Sequence, residues 1–231
     1  MNKYIKRSHK KTMTERREFT VFGTINVFVK DPLPSEIDFT KIAMDIEDTI
    51  PSHLFYEVET IMIGQFKELE QRGIRAAFLD GGIYVTNEQP SEEQLFEDII
   101  HEVAHAVEKM YEFDLYGDGK LETEYLVKKK MFVDLLAAHN INVPNRLKYE
   151  SEYSKAFDEF LYYEVGYEKL TNFTKGLFIT PYASVSVSEY FATAFEAFFV
   201  EGEEAYIKEI SPELFIKLRQ LSVQGEQDEE I

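Results

Sequence analysis

Apolar and polar positions change rhythm partway along the chain, from short β-type runs to longer helical stripes. Residues 19–30 carry Phe19, Val21, Phe22, Ile25, Val27, Phe28 and Val29, a β-rich run that stops at Asp31-Pro32-Leu33-Pro34. Ser35 then caps a helix carrying Ile37, Ile42, Met44 and Ile46, which ends near Thr49, before Pro51. Short strands follow at 57–64, 74–79 and 83–86, the last two separated by Asp80-Gly81-Gly82. Pro90 and Ser91 open a helix in which Ser91 and Gln94 read as a capping box. Leu95, Phe96, Ile99, Ile100, Val103, Ala104, Val107 and Met110 give that helix an apolar stripe. Beyond Glu112 the pattern is helical: 122–139 after a loop with Gly117 and Gly119, then 148–163, 188–199, and a last helix from Ser211-Pro212-Glu213 to Ser222.

The predicted fold class is α+β. A small mixed β-sheet with helices forms an N-terminal lobe at 18–113, and a mainly helical C-terminal lobe spans 114–222. At 231 residues and 44% hydrophobic, the chain is long enough for one sizeable core. Residues 1–17 hold seven Lys/Arg against one Glu, so the net charge of −18 leaves −24 for the rest. The expectation is a basic, flexible tail or docking arm on an acidic body, with a second, acidic tail at 223–231. Such a body disfavours nucleic acid and anionic membranes and favours basic peptides as partners. No apolar run approaches a membrane span, and no hydrophobic segment follows the basic start. A cytoplasmic protein, or one delivered without a standard signal peptide, is expected. The chain has no Cys, which fits a reducing compartment and restricts any metal site to His and carboxylates.

Candidate chemistry concentrates in His101-Glu102-Val103-Ala104-His105, an H-E-x-x-H motif on the capped helix. Independent placement of residues would produce it about 0.015 times per chain of this composition. Imidazoles four positions apart share one helical face, so both can reach one Zn²⁺, with Glu102 beside them to activate water. The competing reading makes His101 and His105 satisfied core histidines and Glu102 a surface charge. Burying such groups on an otherwise apolar helix without a metal is costly, and the metal reading is preferred. The strand at 83–86 runs just ahead of this helix and is expected to be a sheet edge that pairs with an extended peptide.

A catalytic zinc takes three protein ligands and keeps one position open, so two His require a third group. Glu189 and Glu196 stand seven apart, about 10 Å along a helix, and only one of them can serve. Glu189 lies in the first turn of its helix after Ser188, and Ala192 and Thr193 on the next turn allow close approach. Glu122 and Glu124 compete, at 17 and 19 positions after His105, a spacing that resembles zinc peptidases of the thermolysin kind. Lys128, Lys129 and Lys130 nearby read as a solvated face, so Glu189 is favoured over Glu124. Asp114-Leu115-Tyr116-Gly117-Asp118-Gly119 opens like a calcium loop, but Tyr116 and Tyr125 fail its third and twelfth positions. His9, His53 and His139 are isolated and read as structural or surface residues.

Ile83-Tyr84-Val85 precedes the capped His101-Glu102-Val103-Ala104-His105-Ala106-Val107 helix. Tyr182 stands seven residues ahead of Glu189-Tyr190-Phe191-Ala192-Thr193-Ala194-Phe195. Together these resemble the catalytic domain of anthrax toxin lethal factor and the related Pro-Pro endopeptidases, over roughly residues 55–222. The resemblance implies a zincin-like fold with one Zn²⁺ per chain, completed by Glu189, with Tyr182 supporting the reaction. Two departures stand out: Thr193 replaces an acid, and the interval of 84 residues from His105 to Glu189 is longer than the family usually shows. The extra region, about 114–175, can reshape the substrate site, so the family's substrate preferences are not transferred.

The implied activity is that of a zinc metallopeptidase acting on a protein or peptide. Glu102 is general base, His101, His105 and Glu189 hold the metal, and Tyr182 donates to the developing oxyanion. The alternative is a non-catalytic binding or assembly protein of the same fold with a structural or vestigial metal site. An intact Glu102 favours the enzyme, since a structural site has no use for a base.

Overall fold

The computed structural model describes residues 18–228, so the basic segment 1–17 and the last three residues lie outside it. Those residues form an α+β fold with one five-stranded mixed sheet and ten α-helices. The chain divides into two compact units, the first ending at Ala106 and the second starting at Val107. The boundary falls inside the H-E-x-x-H helix.

In the first unit, the β-rich run 19–30 is a hairpin of β1 (Glu18–Val21) and β2 (Ile25–Val29). Phe22 and Gly23 turn the chain with φ of 52° and 65°. Two consecutive positive φ values make the kind of tight turn whose twist suits a hairpin. The left-handed Phe22 is strained, and its ring, edge-on to Phe55 at 5.2 Å, and its N–H, donated to Glu47 Oε1, offset that cost. Helix α1 (Phe39–Thr49) buries Phe39, Ile42, Ala43 and Ile46. Its cap is Asp38, whose Oδ1 accepts the Thr40 N–H at 2.9 Å, and not the expected Ser35, whose hydroxyl bonds Glu36 instead.

Strand β3 (Thr60–Ile63) leads to a short helix α2 (Lys67–Arg72), which the apolar pattern did not signal because only Leu69 in it is buried. Then come β4 (Ala76–Leu79) and β5 (Gly82–Val85). The sheet order is β1-β2-β3-β5-β4, with β2–β3 and β3–β5 parallel and both hairpins antiparallel. Val27, Ile61 and Ile83 fall in one cross-strand row, all fully buried, and each such side chain contributes about 1.5–3 kcal/mol by leaving water. The strand expected at the edge, 83–86, is therefore interior. Asp80 and Gly81, both at positive φ, fold β4 back along its outer side, and β4 is the edge.

Helix α3 (Glu92–Met110) carries the motif. The second unit continues with α4 (Glu112–Tyr116), α5 (Lys120–Ala138), α6 (Lys155–Phe160), a π-helical turn (Leu161–Val165), α7 (Tyr167–Thr174), α8 (Val187–Phe199), α9 (Glu204–Ile210) and α10 (Pro212–Asp228). The single helix expected at 148–163 is broken into these shorter pieces. The last helix runs to Asp228, past the expected stop at Ser222. Helix α8 is buried along nearly its whole length, and Tyr190 on it packs with Tyr125 and Phe178 at ring distances of 5.7 and 5.9 Å. None of the described helices is long and apolar enough to cross a membrane.

Lys128 and Lys129 are not the solvated face the sequence suggested. Both are buried. The Lys128 ammonium donates to the Leu177 and Ile210 carbonyls, and that of Lys129 donates to the Glu150 carbonyl and sits 4.0 Å from the Phe157 ring centre. Backbone carbonyls and aromatic faces satisfy charges that the lysine stems bring inside. Only Lys130 reads as expected, exposed and paired with Asp134.

Candidate metal centre

The motif helix starts as the capping pattern implies. Ser91 Oγ accepts the Gln94 N–H at 3.2 Å, although the Gln94 amide turns to Glu97 and Asp98 and not back to the cap. Asp98 also accepts from Arg75 at 2.7 Å and Gln89 at 3.0 Å, which ties the start of α3 to the residue before β4. Leu95, Ile99, Ile100, Val103, Ala104 and Val107 are fully buried, so the helix is fixed about its own axis. His101 and His105 are half-buried on its other face, their rings 4.9 Å apart and nearly perpendicular. Glu102 is buried, and its Oε2 accepts the Phe78 N–H of β4 at 2.6 Å. That bond orients the carboxylate from the sheet edge.

Glu189 is set from the second unit. Ser186 caps α8, its Oγ accepting the Glu189 N–H at 3.1 Å, so the helix starts one residue earlier than the expected 188. Ser188 instead donates to Glu108 Oε2 at 2.5 Å, and Glu108, three positions past His105 on α3, also accepts from the Tyr116 hydroxyl. Thr193 donates its hydroxyl to the Glu189 carbonyl at 2.8 Å.

His101, His105 and Glu189 form a group that could hold a metal ion. Each offers one ligand atom, and these atoms all lie within 4.8 Å of one another. Two imidazole nitrogens and a carboxylate oxygen, with no thiolate, are the donor set of a catalytic zinc site that leaves one position for water or substrate. The residues therefore fit a metal ion taken by nitrogen and oxygen donors.

The rival carboxylates are engaged elsewhere. Glu124 Oε1 accepts the Tyr190 hydroxyl at 2.8 Å and the Leu214 N–H at 3.3 Å, while Oε2 accepts the Glu213 N–H at 2.9 Å. It caps α10 from a distance in sequence. Glu122 accepts from Ser151 at 2.7 Å. Asp118, in the stretch that opens like a calcium loop, accepts the Lys120 N–H at the start of α5 and pairs with Lys217 at 3.1 Å. His139 ends α5 with its ring against Phe173, and His9 lies outside the described residues.

Tyr182 opens a single 3₁₀ turn after Pro181, held by the Ser184 hydroxyl donating to the Pro181 carbonyl at 2.7 Å. Burial first, then the negative charges of Glu189 and Asp158, push its phenol well above the ordinary range, so it keeps its proton at neutral pH. Asp158 itself is raised by burial, and Tyr153 donates to its Oδ2 at 3.1 Å. Asp158 was not a sequence candidate. The signal available was the density of Tyr around it, at 149, 153, 162, 163 and 167.

Comparison with known proteins gives no match, whether to a family model, a curated protein or a solved structure.

Proposed function

We propose that the protein is a zinc-dependent endopeptidase with a zincin-like fold, similar in plan to the lethal factor and Pro-Pro endopeptidase family. The observation that carries this reading is the grouping of His101 and His105 with Glu189, with Glu102 on the same helix held by Phe78. Zinc supplies a Lewis acid that polarises the scissile carbonyl and makes water a nucleophile near neutral pH. Glu102 takes the proton of the attacking water and passes it to the leaving amine. Tyr182 donates its hydroxyl hydrogen to the oxygen that becomes negative, worth about 3 kcal/mol for a well-placed donor. The outer side of β4 offers backbone groups to an extended peptide, a role first assigned to 83–86. The acidic body favours a cationic protein or peptide substrate, one that is neither nucleic acid nor membrane.

Purified protein is expected to carry one equivalent of zinc and to cleave members of a random peptide library. Glu102→Ala should keep the metal and lose about 10²–10⁴-fold in rate. Full zinc occupancy with no cleavage that depends on Glu102 would point to the non-catalytic binding protein instead.

A further inference from the structure

Asp158, Tyr162, Tyr167, Pro181 and Tyr182 line one recess in the second unit. Its volume is about 10 Å³, enough for one water-sized group. None of the eight residues that line it is Lys or Arg, and Asp158 brings a half-buried carboxylate to it. Two of its lining tyrosines are well exposed, Tyr162 at 56% and Tyr167 at 54%, as is Tyr163 beside Tyr162, at 75%. The Tyr162 ring meets Tyr163 at 4.8 Å and Tyr167 at 6.0 Å, both edge-on. Tyr162 and Tyr163 are presented by the π-helical turn Leu161–Val165, a distortion that proteins retain mostly at functional sites. The segment from Tyr149 to Glu168 holds six carboxylates against one lysine.

Resting on the peptidase reading, we propose that Asp158, Tyr162, Tyr167 and Tyr182 form a subsite that takes the ammonium head of a lysine side chain on the peptide substrate. A carboxylate and aromatic rings, both present in the lining, are the two partners a desolvated ammonium wants, and the exposed rings cover its apolar stem. Size selects within the cations. An ammonium is a compact point charge, whereas a guanidinium is a planar fork too broad for a space of one water. Because Tyr182 lines this recess, the lysine lies close to the bond that is cut.

The test uses acetylated, amidated decapeptides in which lysine, arginine or norleucine is scanned through the central positions. Wild-type protein should favour lysine over norleucine by about tenfold in kcat/KM at one position, and over arginine as well. Asp158→Asn should collapse the lysine/norleucine ratio to near one, and Tyr167→Leu should reduce it, with thermal unfolding confirming that both variants fold. A ratio unchanged by Asp158→Asn overturns the subsite even though the enzyme cleaves peptides. If no peptide is cleaved, the peptidase reading fails by itself, and the subsite is decided by fluorescence anisotropy of the same peptides on Glu102→Gln protein. Tighter binding of the lysine peptide that disappears when Asp158→Asn is added sustains the subsite, and equal affinity for lysine and norleucine peptides refutes it.

Discussion

Glu124 and Glu189 look alike in the sequence, yet the structure uses them in opposite ways. Glu124 spends both oxygens on the Tyr190 hydroxyl and on the first N–H groups of α10, while Glu189 joins the two imidazoles. Replacing Glu124 by Ala removes a helix cap and orphans a buried phenol, for a loss of about 2–3 kcal/mol in stability. Its zinc content should be unaffected. Glu189→Ala should do the reverse, folding normally and losing the metal on dialysis. Zinc analysis beside urea unfolding reads both, and a Glu124→Ala protein that loses zinc while Glu189→Ala retains it would reverse the assignment. The closeness of His101 and His105 was legible because i, i+4 spacing alone places two side chains on one helical face. Glu189 was readable only as a preference, since what a distant carboxylate touches depends on how the chain returns. The lysines show the same limit: Lys128 and Lys129 are polar by type, and only the carbonyls and rings that receive them reveal that they are inside.

At the level of elements, strands and helices were read better than their order. The turn at Asp80 and Gly81 announced a hairpin, but period-2 patterning says which face of a strand is buried and nothing about which neighbour lies beside it. Hence the pattern alone cannot tell that β4 and not β5 is the edge. The difference has a chemical consequence, because the Phe78 N–H that holds Glu102 belongs to β4. Gly81 has φ of +82°, and a Cβ there would also meet the Glu59 side chain at 3.3 Å. Gly81→Ala should cost roughly 1–2 kcal/mol in stability and loosen β4. On the proposed peptidase reading, peptide cleavage should then lose more in kcat than in KM, with Glu102 misaligned and metal content unchanged. A variant with the stability loss and an unchanged kcat would show that β4 does not position Glu102.

Over the whole molecule, the acidic balance and the α+β plan were visible in composition and rhythm, whereas the buried ionisable groups that govern its response to pH were not. Burial pulls Lys129 down to about 8 from an ordinary value near 10.5, although Glu150 opposes the shift. Between those two values the unfolded chain binds a proton that the folded chain has released, so stability rises with pH across that window and the folded state is penalised below it. The buried phenols of Tyr116, Tyr125, Tyr182 and Tyr190 act in the other direction. Burial raises them, the folded chain holds protons that the unfolded chain loses near pH 10, and stability falls above that point. The stability maximum should therefore lie between about pH 9 and 10, on the alkaline side of the usual range. Lys129→Met replaces the cation by a side chain of similar length that suits the Phe157 pocket, and it should flatten the rise from pH 8 to 9.5 while leaving the alkaline fall intact. Urea unfolding of both proteins across pH 7 to 11 checks this, and a rise that persists in Lys129→Met would assign it to another group.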